Sequence, residues 1–153
     1  MKFSLAALAL TVAGALAAPA PTIKRQDAGH PYSIDSISLK RLEDNTFNIN
    51  LSVGWWSETG EIKESTTCFT EWNPTPPPTA PVACADPNFT FWFPTGIKNL
   101  EEYDVAVNGP DGQAQGHVVK GPKYECDTYT GPIEGVIYEC KIINGGRFVL
   151  SLD

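Results

Sequence analysis

The sequence predicts an all-β fold, an antiparallel β-barrel or sandwich stapled by two disulfides. Three observations carry that expectation. Apolar residues recur at every second position in several short runs, clusters of Gly, Pro, Asn and Asp separate those runs, and four cysteines lie in the same part of the chain. With 153 residues, 42% of them hydrophobic, the chain has the size of one domain with its own core.

Residues 1–18 read as a secretory signal peptide. Lys2 supplies the positive start, residues 5–16 are almost unbroken apolar, and Ala15-Leu16-Ala17 places small residues where cleavage needs them. The apolar run is too short for a stable membrane span and no second run follows it, so no membrane partner is expected. Residues 19–25 form a short pro-segment ending in the dibasic pair Lys24-Arg25, a processing step of the kind used in fungal secretory pathways. The single β domain is then 26–153, with an extracellular destination. The full chain carries a formal charge of -7, and removal of Lys2, Lys24 and Arg25 makes the remainder more acidic still. Binding a phosphate backbone takes clustered Lys and Arg, so nucleic acid is not an expected partner.

The clearest strand is 47–56, FNINLSVGWW. Phe47, Ile49, Leu51, Val53 and Trp55 take one face, with Asn48, Asn50, Ser52, Gly54 and Trp56 on the other. Residues 57–60 read as a turn, and the Thr-rich run EIKESTTCF as its hairpin partner. In the tract NPTPPPTAPVA between Cys68 and Cys84 the prolines cannot donate ladder hydrogen bonds, and the tract reads as an extended loop. Phe89, Phe91 and Phe93 then share a core face opposite Thr90 and Trp92. A single helical turn is plausible only over 97–103. Residues 103–107 alternate again, and Asn108-Gly109-Pro110-Asp111-Gly112 turns the chain into GQAQGHVV, a second hairpin. GVIYECKII and RFVLSL are strands separated by the tight-turn signal Asn144-Gly145-Gly146.

The chemistry-bearing residues assemble no catalytic site, and no enzyme activity, cofactor or metal is expected. Neither G-x-S-x-G nor H-E-x-x-H occurs, and the only histidines are His30, near the start of the domain, and His117, in a strand. Glu58, Glu61 and Glu64 lie beside Trp55 and Trp56, but strand parity turns Glu61 away from the other two, so they read as a solvated acidic turn. Glu101, Glu102, Glu125 and Asp127 read as surface charge. Gly109, Gly112 and Gly116 lack the strand-to-helix setting of a phosphate loop. Asp104, Asn108 and Asp111 lack a twelve-residue calcium-loop pattern.

In an oxidising compartment the four cysteines, Cys68, Cys84, Cys126 and Cys140, read as disulfides; neither close pair has C-x-x-C spacing. Spacing favours Cys68 with Cys84 and Cys126 with Cys140, although three connectivities are open to four cysteines. Asn50-Leu51-Ser52 and Asn88-Phe89-Thr90 match the N-glycosylation pattern, with both asparagines on polar strand faces. Trp56 and Trp92 take outward parity and Trp72 stands at the mouth of the proline loop, which makes these three the candidate binding surface.

Together, the signal peptide, the dibasic step, the acidic alternating chain and the two close Cys pairs ending in YECKIINGGRFVLSL resemble the Alternaria major-allergen family of small secreted fungal proteins. The resemblance covers essentially all of 26–153. It implies an antiparallel β-barrel with two sequential hairpin disulfides, no established enzymatic chemistry, and activity at the host surface. There such a protein triggers or damps plant immunity by binding a host extracellular protein or a small phenolic ligand. The founding allergen has a further cysteine that links two subunits; none occurs here, so a monomer or a noncovalent dimer is expected. The alternative reading is a carbohydrate-binding module that stacks cell-wall polysaccharide on Trp56, Trp72 or Trp92.

Overall fold

The computed structural model describes residues 31–57, 59–73 and 79–152. The expected signal peptide and dibasic step, with His30, Glu58 and residues 74–78 of the proline tract, lie outside the described residues. Ten strands form one antiparallel, nearly closed barrel-like sheet. They are β1 (Tyr32–Leu42), β2 (Phe47–Trp56), β3 (Ile62–Trp72), β4 (Val82–Ala83), β5 (Thr90–Trp92), β6 (Glu102–Gly109), β7 (Gly112–Val119), β8 (Tyr124–Thr128), β9 (Val136–Ile142) and β10 (Phe148–Leu152). The main path runs β3-β2-β1-β10-β7-β6-β5-β4, and β9 pairs with both β1 and β8.

The path closes where β3 meets the end of β4. Cys68 and Cys84 are bonded across that seam, Ala85 N donates to Thr67 O at 2.8 Å, and Asp86 N donates to Thr66 Oγ1 at 3.0 Å. The second disulfide, Cys126–Cys140, joins two residues directly opposed in the β8–β9 ladder. The sequential pairing is therefore the one adopted.

β1 is the hub. One edge pairs with β2 along its length; the other is shared, Tyr32–Ile34 with β10 and Ser38–Leu42 with β9. β9 and β10 thus run in the same direction along one edge of β1, and Asn144-Gly145-Gly146 does not reverse the chain. Asn144 and Gly145 do take the positive φ values of a tight turn, 55° and 63°, but the turn is spent on a short detour out of the ladder. The alternation of β1 itself is broken by an irregularity between Ile34 and Ser36, so its buried residues change phase from Tyr32 and Ile34 to Ile37 and Leu39.

The expected hairpins β2–β3 and β6–β7 both form, whereas the tract read wholly as a loop ends in strand β4, because Val82 and Ala83 are not prolines and pair with Phe91 and Thr90. The helical turn expected over 97–103 does not form. That stretch is a set of turns with an isolated bridge from Asn99 to Glu102, because Tyr103 is drawn into the core as part of β6.

Aromatic rings fill the interior. Trp72 meets Phe93, Phe93 meets Tyr103, Tyr103 meets Tyr124 and Tyr124 meets Phe148, each at a centroid separation of 5.8–6.3 Å and mostly edge to face. Phe89, Phe91 and Phe93 are all buried, as their shared parity predicts. Tyr124 donates its hydroxyl to Leu100 O at 3.1 Å and lies 3.3 Å from the Tyr103 hydroxyl, so the two phenols bring their own polar partners into the core. Burial pushes both far above the ordinary tyrosine range and keeps them protonated.

Candidate functional site

The three tryptophans of the expected binding surface do not form one. Trp56 has the outward parity read for it, yet it is buried, which corrects its assignment to an exposed patch. Gly54 lies beside it on the same face, and a side chain there would press on the indole and on Asp35. The Trp56 Nε1 donates to Ser33 Oγ at 2.6 Å, Ser33 donates to Asp35 at 2.7 Å, and Arg147 pairs with Asp35 while covering the Trp56 ring at 4.4 Å. This closed cluster uses the indole as structure. Trp72 is half-buried, stacked on Phe47 at 5.7 Å and tilted against Phe93, where it closes one end of the barrel. Trp56 and Trp72 stand at opposite ends of the β2–β3 ladder, roughly 30 Å apart at the strand rise. Trp92 is half-buried on β5, opposite buried Ala106 in the β5–β6 ladder. No continuous stacking platform joins the three.

Trp55, read as a core residue, sits half-exposed at the barrel rim. Its ring packs on Phe89, Lys63 lies over it at 4.5 Å, and its Nε1 donates to Asp111. The Asp111 carboxylate is thereby committed, and Asp104 is committed elsewhere, accepting from Thr95 and facing His117. His117 is exposed, with Nδ1 2.9 Å from Asp104 and Nε2 3.2 Å from Glu102. The hydrogen bond to Asp104 foremost, with that to Glu102, raises its pKa. Both ring nitrogens are occupied by carboxylates, so the group is an ion cluster rather than a poised base. Among the described residues no group of three or more His, Cys, Asp or Glu is placed to hold a metal.

What the fold does assemble is a groove of about 490 Å³ on the outer face of the sheet. Its floor is the polar side of β1 and β2, including Ser36, Ser38, Lys40, Asn48 and Asn50. One wall is Phe69 on β3, 55% exposed; the other is Ile133, 47% exposed, with Glu134 and Val136. Strand register explains the first wall. Phe69 is directly opposite Asn50, which is directly opposite Ser38, so the three side chains form one row across the outer face. The second wall is the loop 129–135 between β8 and β9. It is braced at three points: Ile133 N donates to the Tyr129 hydroxyl at 3.4 Å, Glu43 N to Gly135 O at 2.9 Å, and Tyr129 N to Ile137 O at 3.1 Å. Gly131 lies so close to the Tyr129 ring that a side chain there would collide with it. Beyond the floor, Glu139 accepts from Ser38 at 3.3 Å and pairs with Lys40 at 3.8 Å and Lys141 at 3.6 Å. An acidic hollow lined by Glu125, Asp127, Tyr129 and Glu139 follows on the β8–β9 surface.

Of the residues singled out in the sequence, Asn50 lies on the groove floor, while Asn88, read on a polar strand face, is instead exposed in a turn because β5 begins only at Thr90. Neither groove wall was visible in the sequence. Phe69 ends the Thr-rich run read as a hairpin partner, to which the sequence assigns no inward or outward face, and Ile133 lies in a stretch without alternation. The signal that could have found Phe69 is Cys68: a disulfide cysteine pointing inward forces its neighbour outward. Comparison with family models, curated proteins and solved structures finds no match to this chain.

Proposed function

We propose that the protein works outside the cell as a recognition protein of the effector or elicitor kind, binding a host extracellular protein through the Ile133 wall of its outer-face groove and thereby modulating plant immunity. The observation that carries this reading is the braced loop 129–135, which holds Ile133 exposed beside an open groove. A large apolar side chain fixed on an ordered loop and rimmed by polar residues suits a protein contact, because little entropy is lost when the partner covers it. Two further features support it. The interior is occupied by aromatic rings, which favours recognition on the outer surface. Two disulfides suit an oxidising compartment, where limiting local opening also limits proteolysis. The resemblance to the Alternaria major-allergen family, the signal peptide and the dibasic step supply the biological setting.

The test is affinity capture from plant apoplastic fluid, with the oxidised protein of residues 26–153 as bait and a reduced, alkylated sample as control. The expected result is a host protein retained by the oxidised bait and weakened at least 10-fold by Ile133→Asp, which puts a charge where the partner desolvates the surface. Empty capture, or retention indifferent to Ile133→Asp, overturns the reading. Retention on insoluble polysaccharide in its place would transfer the function to cell-wall binding.

A further inference from the structure

The opposite wall of the groove raises a separate question. Phe69 is a large aromatic side chain, more than half exposed, in the middle of a polar sheet face. Its partner across the β2–β3 ladder is Asn50, the acceptor of Asn50-Leu51-Ser52. Directly opposed residues of an antiparallel pair carry their Cβ atoms about 4.5–5.5 Å apart and project to the same side. Asn50 is exposed, while Leu51 is fully buried and anchors the strand beneath it. Among the described residues no side-chain hydrogen bond engages the Asn50 amide, so it is free to carry a substituent.

We infer that Asn50 carries an N-linked glycan whose first sugar lies on the Phe69 ring and forms the permanent cover of that wall. The inference shares with the proposed function the premise that the chain enters a secretory pathway, and it divides the groove, leaving the Ile133 wall to the partner. In the transfer, the Asn50 amide nitrogen bonds to the anomeric carbon of a lipid-pyrophosphate-linked oligosaccharide. The bond from that carbon to the phosphate oxygen breaks, the lipid pyrophosphate leaves, and the amide nitrogen loses one proton. No oxidant or reductant is involved. The first sugar then hangs from a short amide linkage above the row Ser38-Asn50-Phe69. Its apolar C–H face can rest on the aromatic ring while its hydroxyls and acetamido group meet water and the polar floor.

The placement answers a problem of the fold. β3 is the strand at which the sheet path ends, and an exposed aromatic beside an incompletely paired strand invites pairing with another chain. The second acceptor, Asn88, stands on the other side of β3, in the turn whose Ala85 and Asp86 bond to Thr67 and Thr66. Glycans at Asn50 and Asn88 would flank the seam from both sides.

The experiment uses the full chain expressed in a eukaryotic secretory host. Intact-mass measurement before and after amidase deglycosylation should show a glycan at Asn50, absent in Asn50→Gln. NMR of the protein trimmed to single sugars should then show protons of the Asn50-linked sugar shifted upfield by the Phe69 ring current. That shift should be lost in Phe69→Leu with the glycan still attached. An unmodified Asn50, or an attached sugar with no Phe69-dependent shift, overturns the inference. Capture through Ile133 is read separately, so either proposal can fail alone.

Discussion

The two disulfides close loops of nearly equal length, with sequence separations of 16 and 14, and their Cα atoms are 4.1 and 4.0 Å apart. Their positions in the sheet differ completely. Cys126–Cys140 lies inside a five-residue ladder, and β9 is held on its other edge by β1. Cys68–Cys84 lies where no ladder exists, between the two ends of the sheet path, supported by the contacts of Ala85 and Asp86 with β3. On chain entropy alone each bond stabilises by about 3 kcal/mol. One reinforces pairing that the backbone already makes; the other substitutes for pairing the backbone lacks. Loop length predicts how much a cross-link restricts the unfolded chain, but topology decides which part of the folded chain opens without it.

The strongest test removes each bond in turn. Denaturant unfolding should show Cys68→Ala/Cys84→Ala and Cys126→Ala/Cys140→Ala each losing about 3 kcal/mol. Native-state amide exchange should separate them. In the first variant the amides at position 84, Ala85 and Phe89 should exchange roughly 100-fold faster than global unfolding allows, because the seam opens locally. In the second, the amides of the β8–β9 ladder should remain closed up to the global limit. Local opening of β8 as large as that of the seam would break the comparison.

A smaller effect sharpens it. Thr66→Val removes the buried hydroxyl that accepts from Asp86 N and should cost about 1 kcal/mol in the disulfide-bonded protein. In the Cys68→Ala/Cys84→Ala background the cost should fall, since an open seam has already lost that contact; full additivity would show that the two act independently. The smallest effect lies away from both bonds and serves as the reference. His117 has a raised folded-state pKa, so its contribution is fully present below the ordinary imidazole pKa and disappears as pH rises through the raised value. Half-exposed and solvent-screened, it should make the native protein more stable than His117→Gln by about a few tenths of a kcal/mol at pH 5.5, with the gap closed by pH 8. A gap that grows toward pH 8 would reverse the assigned sign.

Most of the fold was legible because most strands keep one phase. β2 and the Phe89-Phe91-Phe93 tract alternate without interruption, and β6–β7 has turn chemistry at its tip, so parity and pairing follow from nearest neighbours. β1 escaped notice because its irregularity between Ile34 and Ser36 shifts the apolar phase midway, and two half-strands of opposite phase look like none. The detour at Asn144 and Gly145 has the dihedrals of a hairpin turn but not its outcome, since β1 captures the chain on both sides of it. The site was less legible than the fold for the same physical reason. Trp56 is covered by Arg147, 91 residues away, and the groove joins Phe69 to Ile133 from the far end of the sheet. Periodicity reports which side of a strand a residue takes, but not what another part of the chain lays over it.

The place of β1 also bears on how the chain reaches this state. Its N-terminal half pairs with β10 and its C-terminal half with β9, so the first strand among the described residues is completed only by residues 136–152. Synthesis delivers β1 first and its partners last. Until Val136–Ile142 has emerged, β1 has only β2 beside it and one bare edge, and Tyr32–Ile34 stay bare on that edge until Phe148–Leu152 follows. Closure of this edge therefore comes late, and a molecule truncated before Phe148 leaves Tyr32–Ile34 without a partner there while Ser38–Leu42 keep theirs.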